Sequence, residues 1–466
     1  MTAVAPRTRA LLEGPIAPTL LRMALPNVLV MVAQASAGLI ETWFVGKLGT
    51  DALAGVALVF PVLMMMQMMS AGAMGGGIAS SIARALGGRR KADADALSVH
   101  ALVLALGFSL VFSAGLLLFG APLYRSMGGS GASLDAAMTY SNWIFAGALL
   151  VWLFNSLASV VRGTGNMVLP AWVTCVGLLV LIPLSPLLIF GWGPVPAFGV
   201  AGGAMAILVY YGIGTIALAV YVLSQRSLLK PTLAGAGLRW PLFRDILRVG
   251  LVATVSSLAT NLTIGIATAQ VGQLGPAAIA GYGTASRLEY LLVPLVFGLG
   301  APLVAMVGTC IGAGQRVRAL RSTWIGAAIA GLLCEVVGLA AALFPHQWLS
   351  LFGSDPAMLE SGTLYLQIVG PAYGFFGFGL ALYFASQGAG RLAWPLMGNV
   401  ARLLVAGGGG WLALHWGGGI VWVFWAQALA LVLYGLINAM AVAGGAWFGP
   451  LGRPRRPGWW SSAAQA

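Results

Sequence analysis

The segment ETWFVGKLG, Glu41 to Gly49, recurs as ATAQVGQLG, Ala267 to Gly275, with five of nine residues identical. The match continues outward at the same spacing of 226 positions: Ala54-Gly55 with Ala280-Gly281, Gly72 with Gly298, Gly88 and Arg90 with Gly314 and Arg316. After a one-residue deletion the spacing is 225, pairing Tyr140 with Tyr365 and Gly163, Gly165 and Pro170 with Gly388, Gly390 and Pro395. A register held over that length makes the chain a duplication of one unit. Within it, Glu41 of the first copy stands opposite Ala267 of the second. An acid present in only one half is a candidate working group.

The chain has 466 residues, of which 59% are hydrophobic and 8% charged, with a mean hydropathy of +0.93. Too little polar surface remains to coat a soluble body of this size. Crossing a bilayer core of about 30 Å takes roughly 20 apolar residues. Such windows fall near residues 18–45, 52–83, 96–120, 137–161, 168–191, 200–223, 249–272, 277–311, 322–344, 361–388, 393–415 and 419–446. The runs are continuous and lack the alternation of barrel strands. They predict an all-α polytopic membrane protein of twelve transmembrane helices. The second and eighth windows exceed one perpendicular span and predict tilted or protruding helices. The residues before the first apolar run are polar and basic, and that run leads into a full span, so no cleaved signal is expected.

The 24 Lys and Arg give the orientation. They concentrate before the first span, after the second, fourth, eighth and tenth, between the sixth and seventh, and at the C-terminal end, whereas the opposite loops hold Lys47 and Arg125. By the positive-inside rule both termini face the cytoplasm. The net charge of +13 is read as topogenic, with contacts to anionic membrane lipids and no nucleic-acid partner. Each copy holds six spans, an even number. Two six-helix lobes related by a pseudo-two-fold axis along the membrane normal follow: an N-lobe over 1–223, a linker over 224–240, a C-lobe over 241–447 and a tail over 448–466. Cys175, Cys310 and Cys334 lie in spans without metal-ligand spacing and read as small apolar residues.

Several segments resemble the multidrug and toxic compound extrusion (MATE) family: Pro26 in the first span, Glu41–Gly49 with Ala52–Gly55, Arg162–Asn166 ahead of Pro170, PLLIFG at Pro186–Gly191, GVAGG at Gly199–Gly203, ASRLE at Ala285–Glu289 and GAG at Gly312–Gly314. Individually weak, they are specific in this order and in duplicate, and the likeness covers about residues 15–446. The resemblance implies a monomeric efflux antiporter of a bacterial-type inner membrane. It would exchange protons or sodium ions for small organic, often cationic, compounds by alternating access, without a cofactor. It places Glu41 at the family's acidic position in the first span, usually Asp, and Asn155 and Tyr140 in the N-lobe cation site; Pro26 marks a helix kink. The chain departs from the pattern at Leu181, Ser185 and Ile207, where relatives carry polar or acidic residues. The N-lobe is left with one carboxylate. A sodium site wants several hard oxygen ligands, whereas a proton needs one base, so protons are preferred over sodium.

Glu41 also has a plainer reading as a solvated acid near the end of its span, though an intramembrane acid costs roughly 2.5–3.5 kcal/mol on insertion scales. In the C-lobe, Glu289 and Glu335 accompany Arg287 and Arg402. Mutual ion pairing is one expectation, with partners on other helices because Arg287 and Glu289 do not share a helical face. The other gives Glu289, part of the family-like ASRLE, a role in cation coupling or substrate charge recognition. The methionine run about Met64 and Met68, with Gln67, suits a soft substrate cleft as well as simple packing. His100, His346 and His415 are scattered and read as unpaired. A lipid-linked glycan flippase of a related two-lobe fold is the alternative, but the N-lobe spans lack the basic residues that a pyrophosphate requires. No HExxH or paired-Asp motif points to an enzyme.

Overall fold

The computed structural model describes residues 5–231 and 237–448. Part of the expected linker, 232–236, and the expected tail from 449 onward lie outside the described residues. A short α1 (Pro6–Glu13) leads into α2 (Ile16–Gly46). Next comes α3 (Thr50–Gln67), which runs through a π-helical turn (Met68–Met74) into α4 (Gly75–Gly87). Then follow α5 (Lys91–Ser126), α6 (Gly131–Ala146), α7 (Ala148–Gly163), α8 (Val168–Phe190), α9 (Val200–Leu223), α10 (Trp240–Gly272), α11 (Pro276–Gly312) and α12 (Arg316–Leu343). The chain continues through α13 (Pro345–Leu349), α14 (Pro356–Val369), a 3₁₀ turn (Gly370–Ala372), α15 (Tyr373–Ala389), α16 (Ala393–His415) and α17 (Gly419–Ala443).

All twelve predicted windows coincide with helix. Among the described residues, ten helices or continuous helical runs are long and apolar enough to cross a membrane, eleven if α6 and α7, bent by 49°, form one span. The remaining window, 393–415, is α16, whose 23 residues suffice in length while Asn399, Arg402 and four consecutive glycines dilute its hydropathy. Large apolar side chains such as Trp172, Leu179, Ile216, Leu332 and Leu404 stand more than half exposed. That surface suits lipid and not water. The chain is an all-α, multi-pass membrane protein.

Two compact units emerge, Met1–Ser257 with Val293–Ser322, and Leu258–Leu292 with Thr323–Ala466. In the first, α2 packs on α8, α3 on α6, α5 on α7 and α8 on α9. Its aromatic centre is Trp152 of α7, 1% exposed, stacked on Phe108 of α5 with centroids 5.1 Å apart and planes 11° apart. The break between α6 and α7 falls at Gly147, where a β-carbon would run into Leu208. Ser113 donates to the Phe145 carbonyl at 2.6 Å beside the break, so a carbonyl at the bend has a partner without water. His100 corrects the reading from sequence. Its buried ring sits with Nδ1 2.8 Å from the Ala96 carbonyl, and Nε2 accepts the Arg239 backbone N–H at 2.8 Å. Those two contacts require the proton on Nδ1.

In the second unit α17 packs along α15 and α16. Small residues permit the approach: a β-carbon on Gly379 would meet the Tyr434 ring, and one on Gly435 the Phe375 backbone. Trp348 of α13 donates to the Thr284 carbonyl at 3.1 Å, tying that short helix to α11.

In the first unit α4 crosses the end of α11 at two glycines. A β-carbon on Gly87 would collide with the Thr309 backbone, and one on Gly312 with the Arg84 backbone. Backbone cannot yield as a side chain does. Gly87→Val and Gly312→Val should therefore each lose about 1–3 kcal/mol of stability, read as a lower melting temperature in detergent. Gly107→Val, where nothing lies within 4 Å, should melt near wild type. A Gly87→Val protein as stable as the Gly107 control would refute the close crossing.

Candidate functional site

Glu41 lies on α2, five residues before its last residue, Gly46. Its Oε1 is buried and has no hydrogen-bond partner among the described residues. Tyr140 of α6 and Tyr211 of α9, both buried, are near enough for their phenols to interact electrostatically with this carboxylate. A buried polar atom left bare is costly and calls for an explanation.

Beside it runs a chain of amides and hydroxyls that satisfy one another. Gln67 donates through Nε2 to the Tyr211 hydroxyl. Asn155 of α7 donates through Nδ2 to Gln67 Oε1 at 3.2 Å and to Ser70 Oγ at 2.8 Å. Ser70 in turn reaches the Gln67 carbonyl at 3.3 Å, and Ser159 the Asn155 carbonyl at 2.7 Å. The π-helical turn makes this possible, because its wider winding after Gln67 shifts the helical register and presents Gln67 and Ser70 together to Asn155. Gly75 completes the fit, since a β-carbon there would strike Ser159 Oγ.

Of the residues singled out from sequence, Glu41 and Tyr140 come together, and Asn155 joins Gln67. Met64 and Met68 are each 38% exposed on the same helical run, whereas Met66 is fully buried. Pro26 lies inside the unbroken α2, 15 residues and so about 22 Å of helix from Glu41. Its neighbour Asn27 donates to the Gly298 carbonyl at 3.4 Å. Ser185 is buried with its hydroxyl unpartnered, and Leu181 is buried beside the same core. Tyr211 and Ser70 escaped notice. Neither is acidic, and Ser70 reaches Asn155 only through the π turn.

The second unit has its own polar centre. Tyr365 of α14 donates to Glu289 Oε1 of α11 at 2.5 Å, and Tyr282 packs edge-on against Tyr365 with centroids 5.3 Å apart. The expected ion pairs do not form among the described residues. Glu335 accepts the Gly374 backbone N–H at 2.8 Å. Arg287 lies over the Phe352 ring at 5.2 Å and Arg402 over Phe376 at 5.3 Å. Aromatic faces and a backbone donor take the place assigned to opposite charges.

The MatE family model matches residues 26–187 and 253–409, two segments that follow the duplication. An FAD transporter of Shewanella oneidensis is 27% identical over 397 residues, covering 85% of this chain and 87% of its own. A Thermotoga maritima protein named "Probable multidrug resistance protein NorM" is 25% identical over 383 residues, covering 81% of each chain. A crystal structure of MATE in the bent conformation superposes with a TM-score of 0.87 at 24% identity, over 95% of this chain and 98% of that one. The last likeness is one of fold.

The Glu335 contact separates acceptor from charge. Glu335→Gln keeps an oxygen for the Gly374 N–H and should melt close to wild type, whereas Glu335→Leu leaves this half-buried donor without its partner and should lose about 1 kcal/mol. Neutralising Arg287 or Arg402 should not restore Glu335→Leu. Recovery of melting temperature in such a double variant would reinstate the ion pair.

Proposed function

We propose, given that the chain belongs to the MatE family, that it is an antiporter exporting small organic, often cationic, compounds in exchange for protons, with Glu41 as the proton carrier. The observation that carries this reading is the buried carboxylate oxygen of Glu41 without a hydrogen-bond partner among the described residues, within electrostatic reach of the phenols of Tyr140 and Tyr211. The Tyr211 hydroxyl accepts from Gln67 and Gln67 Oε1 accepts from Asn155, so these two oxygens are already spent within the network rather than gathered around Glu41. One proton satisfies the carboxylate, and a cationic compound in the same unit satisfies it electrostatically. Loading one then weakens the other, which is the reciprocity that exchange requires.

Two lobes over residues 1–223 and 241–447, related by an axis along the membrane normal and rocking against each other with both termini cytoplasmic, supply alternating access. The exposed Met64 and Met68 provide adaptable apolar contact for varied substrates. The protein acts as a monomer among membrane lipids. Relatives named for multidrug resistance and for FAD transport support export of organic compounds over flipping of a lipid-linked glycan. Glu289, hydrogen-bonded to Tyr365, is the second titrating group of the exchange cycle.

Glu41→Gln keeps shape but removes the titrating proton. In proteoliposomes with an imposed proton gradient and no sodium, efflux of a fluorescent organic cation should fall at least tenfold, while yield and melting temperature stay near wild type. Glu41→Asp should retain part of the activity. In wild type, affinity for the cation should fall as pH drops, since protonation removes the attracting charge; in Glu41→Gln that dependence should flatten. Near-normal proton-driven efflux by Glu41→Gln, or strict dependence on sodium, would reject the assignment.

A further inference from the structure

The polar centre of the second unit surrounds a small cavity lined by Ala267, Tyr282, Glu289, Arg402 and Gln427 among others, with about 20 Å³ open to a water-sized sphere. That is room for one compact group. Two donors face it with nothing to donate to. Arg402 is 7% exposed and forms no ion pair among the described residues; its guanidinium lies over the Phe376 ring. Gln427 is 9% exposed, and its buried Nε2 has no hydrogen-bond partner among the described residues.

The repeat gives these donors a meaning. Ala267 occupies the place of Glu41, Tyr365 that of Tyr140, and Arg402 that of Gly177. The second copy has kept the phenol, lost the carboxylate and gained a guanidinium, so its polarity is reversed. Glu289 supplies the compensating charge from another helix. It is faced by Tyr365 on α14, Tyr373 on α15 and Arg402 on α16, with Tyr282 of its own helix packed on Tyr365.

We propose that this cavity is an anion-accepting site, in which a halide-sized anion or the carboxylate of a transported compound replaces the Glu289 carboxylate as the counter-charge of Arg402. While Glu289 is ionised it balances Arg402, the site is neutral, and an anion gains nothing by entering. When Glu289 takes a proton, Arg402 becomes a lone buried cation, a state that costs free energy until a counter-charge arrives. An entering anion accepts from Arg402 and from Gln427 Nε2, leaving neither donor bare. Proton uptake and anion uptake are thereby linked with the same sign. Cations gain nothing from a site that is neutral in one state and positive in the other.

The carboxylate arm rests on the transport function proposed above; the halide arm does not. Purified full-length protein is titrated with sodium bromide or sodium formate at acid and alkaline pH, with sodium gluconate, branched by a hydroxyl on the carbon beside its carboxylate and so too bulky at that end for the cavity, as the ionic-strength control. The melting temperature of wild type should rise saturably with bromide and formate, more at acid pH. Glu289→Gln should respond at both pH values, because its Arg402 has lost its counter-charge. Gln427→Leu should need about tenfold more bromide, the worth of one hydrogen bond to a charged group. Arg402→Gln should respond as it does to gluconate; if that variant does not fold, Gln427→Leu and Glu289→Gln decide the matter. A Glu289→Gln protein with no response beyond gluconate, or a Gln427→Leu protein indistinguishable from wild type, overturns the site. Transport of a carboxylated dye and its methyl ester then identifies the source. Selective loss of the free acid in Gln427→Leu assigns the site to the substrate's carboxylate, and equal transport of both dyes assigns it to an inorganic anion.

Discussion

A polar group carried into a membrane by a helix has no bulk water to fall back on, so each one must be answered by another group of the protein. Much of this chain obeys that constraint. Asn155, Gln67, Ser70 and Tyr211 answer one another, Tyr124 answers Ser141 at 2.8 Å, and Ser113 takes the Phe145 carbonyl at the bend between α6 and α7. Against that background the unanswered groups become informative. Glu41 Oε1 in the first unit and Gln427 Nε2 in the second are buried without partners, and Arg402 has an aromatic face in place of an acid. Other buried polar atoms also lack a partner among the described residues, such as Ser185 Oγ and Trp152 Nε1, but these three belong to the two polar centres, where open groups suit species that come and go.

Duplication explains how two such centres arise and why they differ. Each copy brings a tyrosine to the same point of the repeat, Tyr140 and Tyr365, and each tyrosine stands by a carboxylate, but the acid comes from a different place. In the first copy it is Glu41 on α2. In the second the equivalent position is Ala267, and the acid comes from Glu289 on α11, whose counterpart in the first copy is Leu63. One copy therefore presents a bare acid and the other an acid opposed by a guanidinium. The two centres need not carry the same charge at the same pH.

The helices were legible because a bilayer imposes a length and an apolarity that few other environments require, and every predicted window is helical. Glu41 was legible as a break in a repeat. The network around Asn155 was not: a π turn costs one residue of register within a methionine run that reads as uniform apolar helix, and neither Gln67 nor Ser70 announces that it will face another span. The supposed ion pairs failed for a different reason. Counting two acids against two arginines ignores that a carboxylate can be answered by a backbone N–H, as Glu335 is by Gly374, and a guanidinium by a ring, as Arg287 is by Phe352. His100, likewise, found its partners in backbone groups of Ala96 and Arg239, which no count of side chains reveals.

These substitutions of partner carry a consequence for the second unit. Had Arg402 formed a tight ion pair with Glu289, protonating the acid would have broken a direct contact and left two mismatched groups, a penalty of several kcal/mol in a buried setting. With the acid held by Tyr365 and the guanidinium seated on Phe376, the two charges balance across the cavity without being bound to each other. Neither contact is made with the other charge, so a change of state in one group breaks no bond to the other. Separation of charge balance from direct contact is what allows a protein to alter its protonation without unfolding the helices that carry it, and it leaves the space between the charges open to a third group.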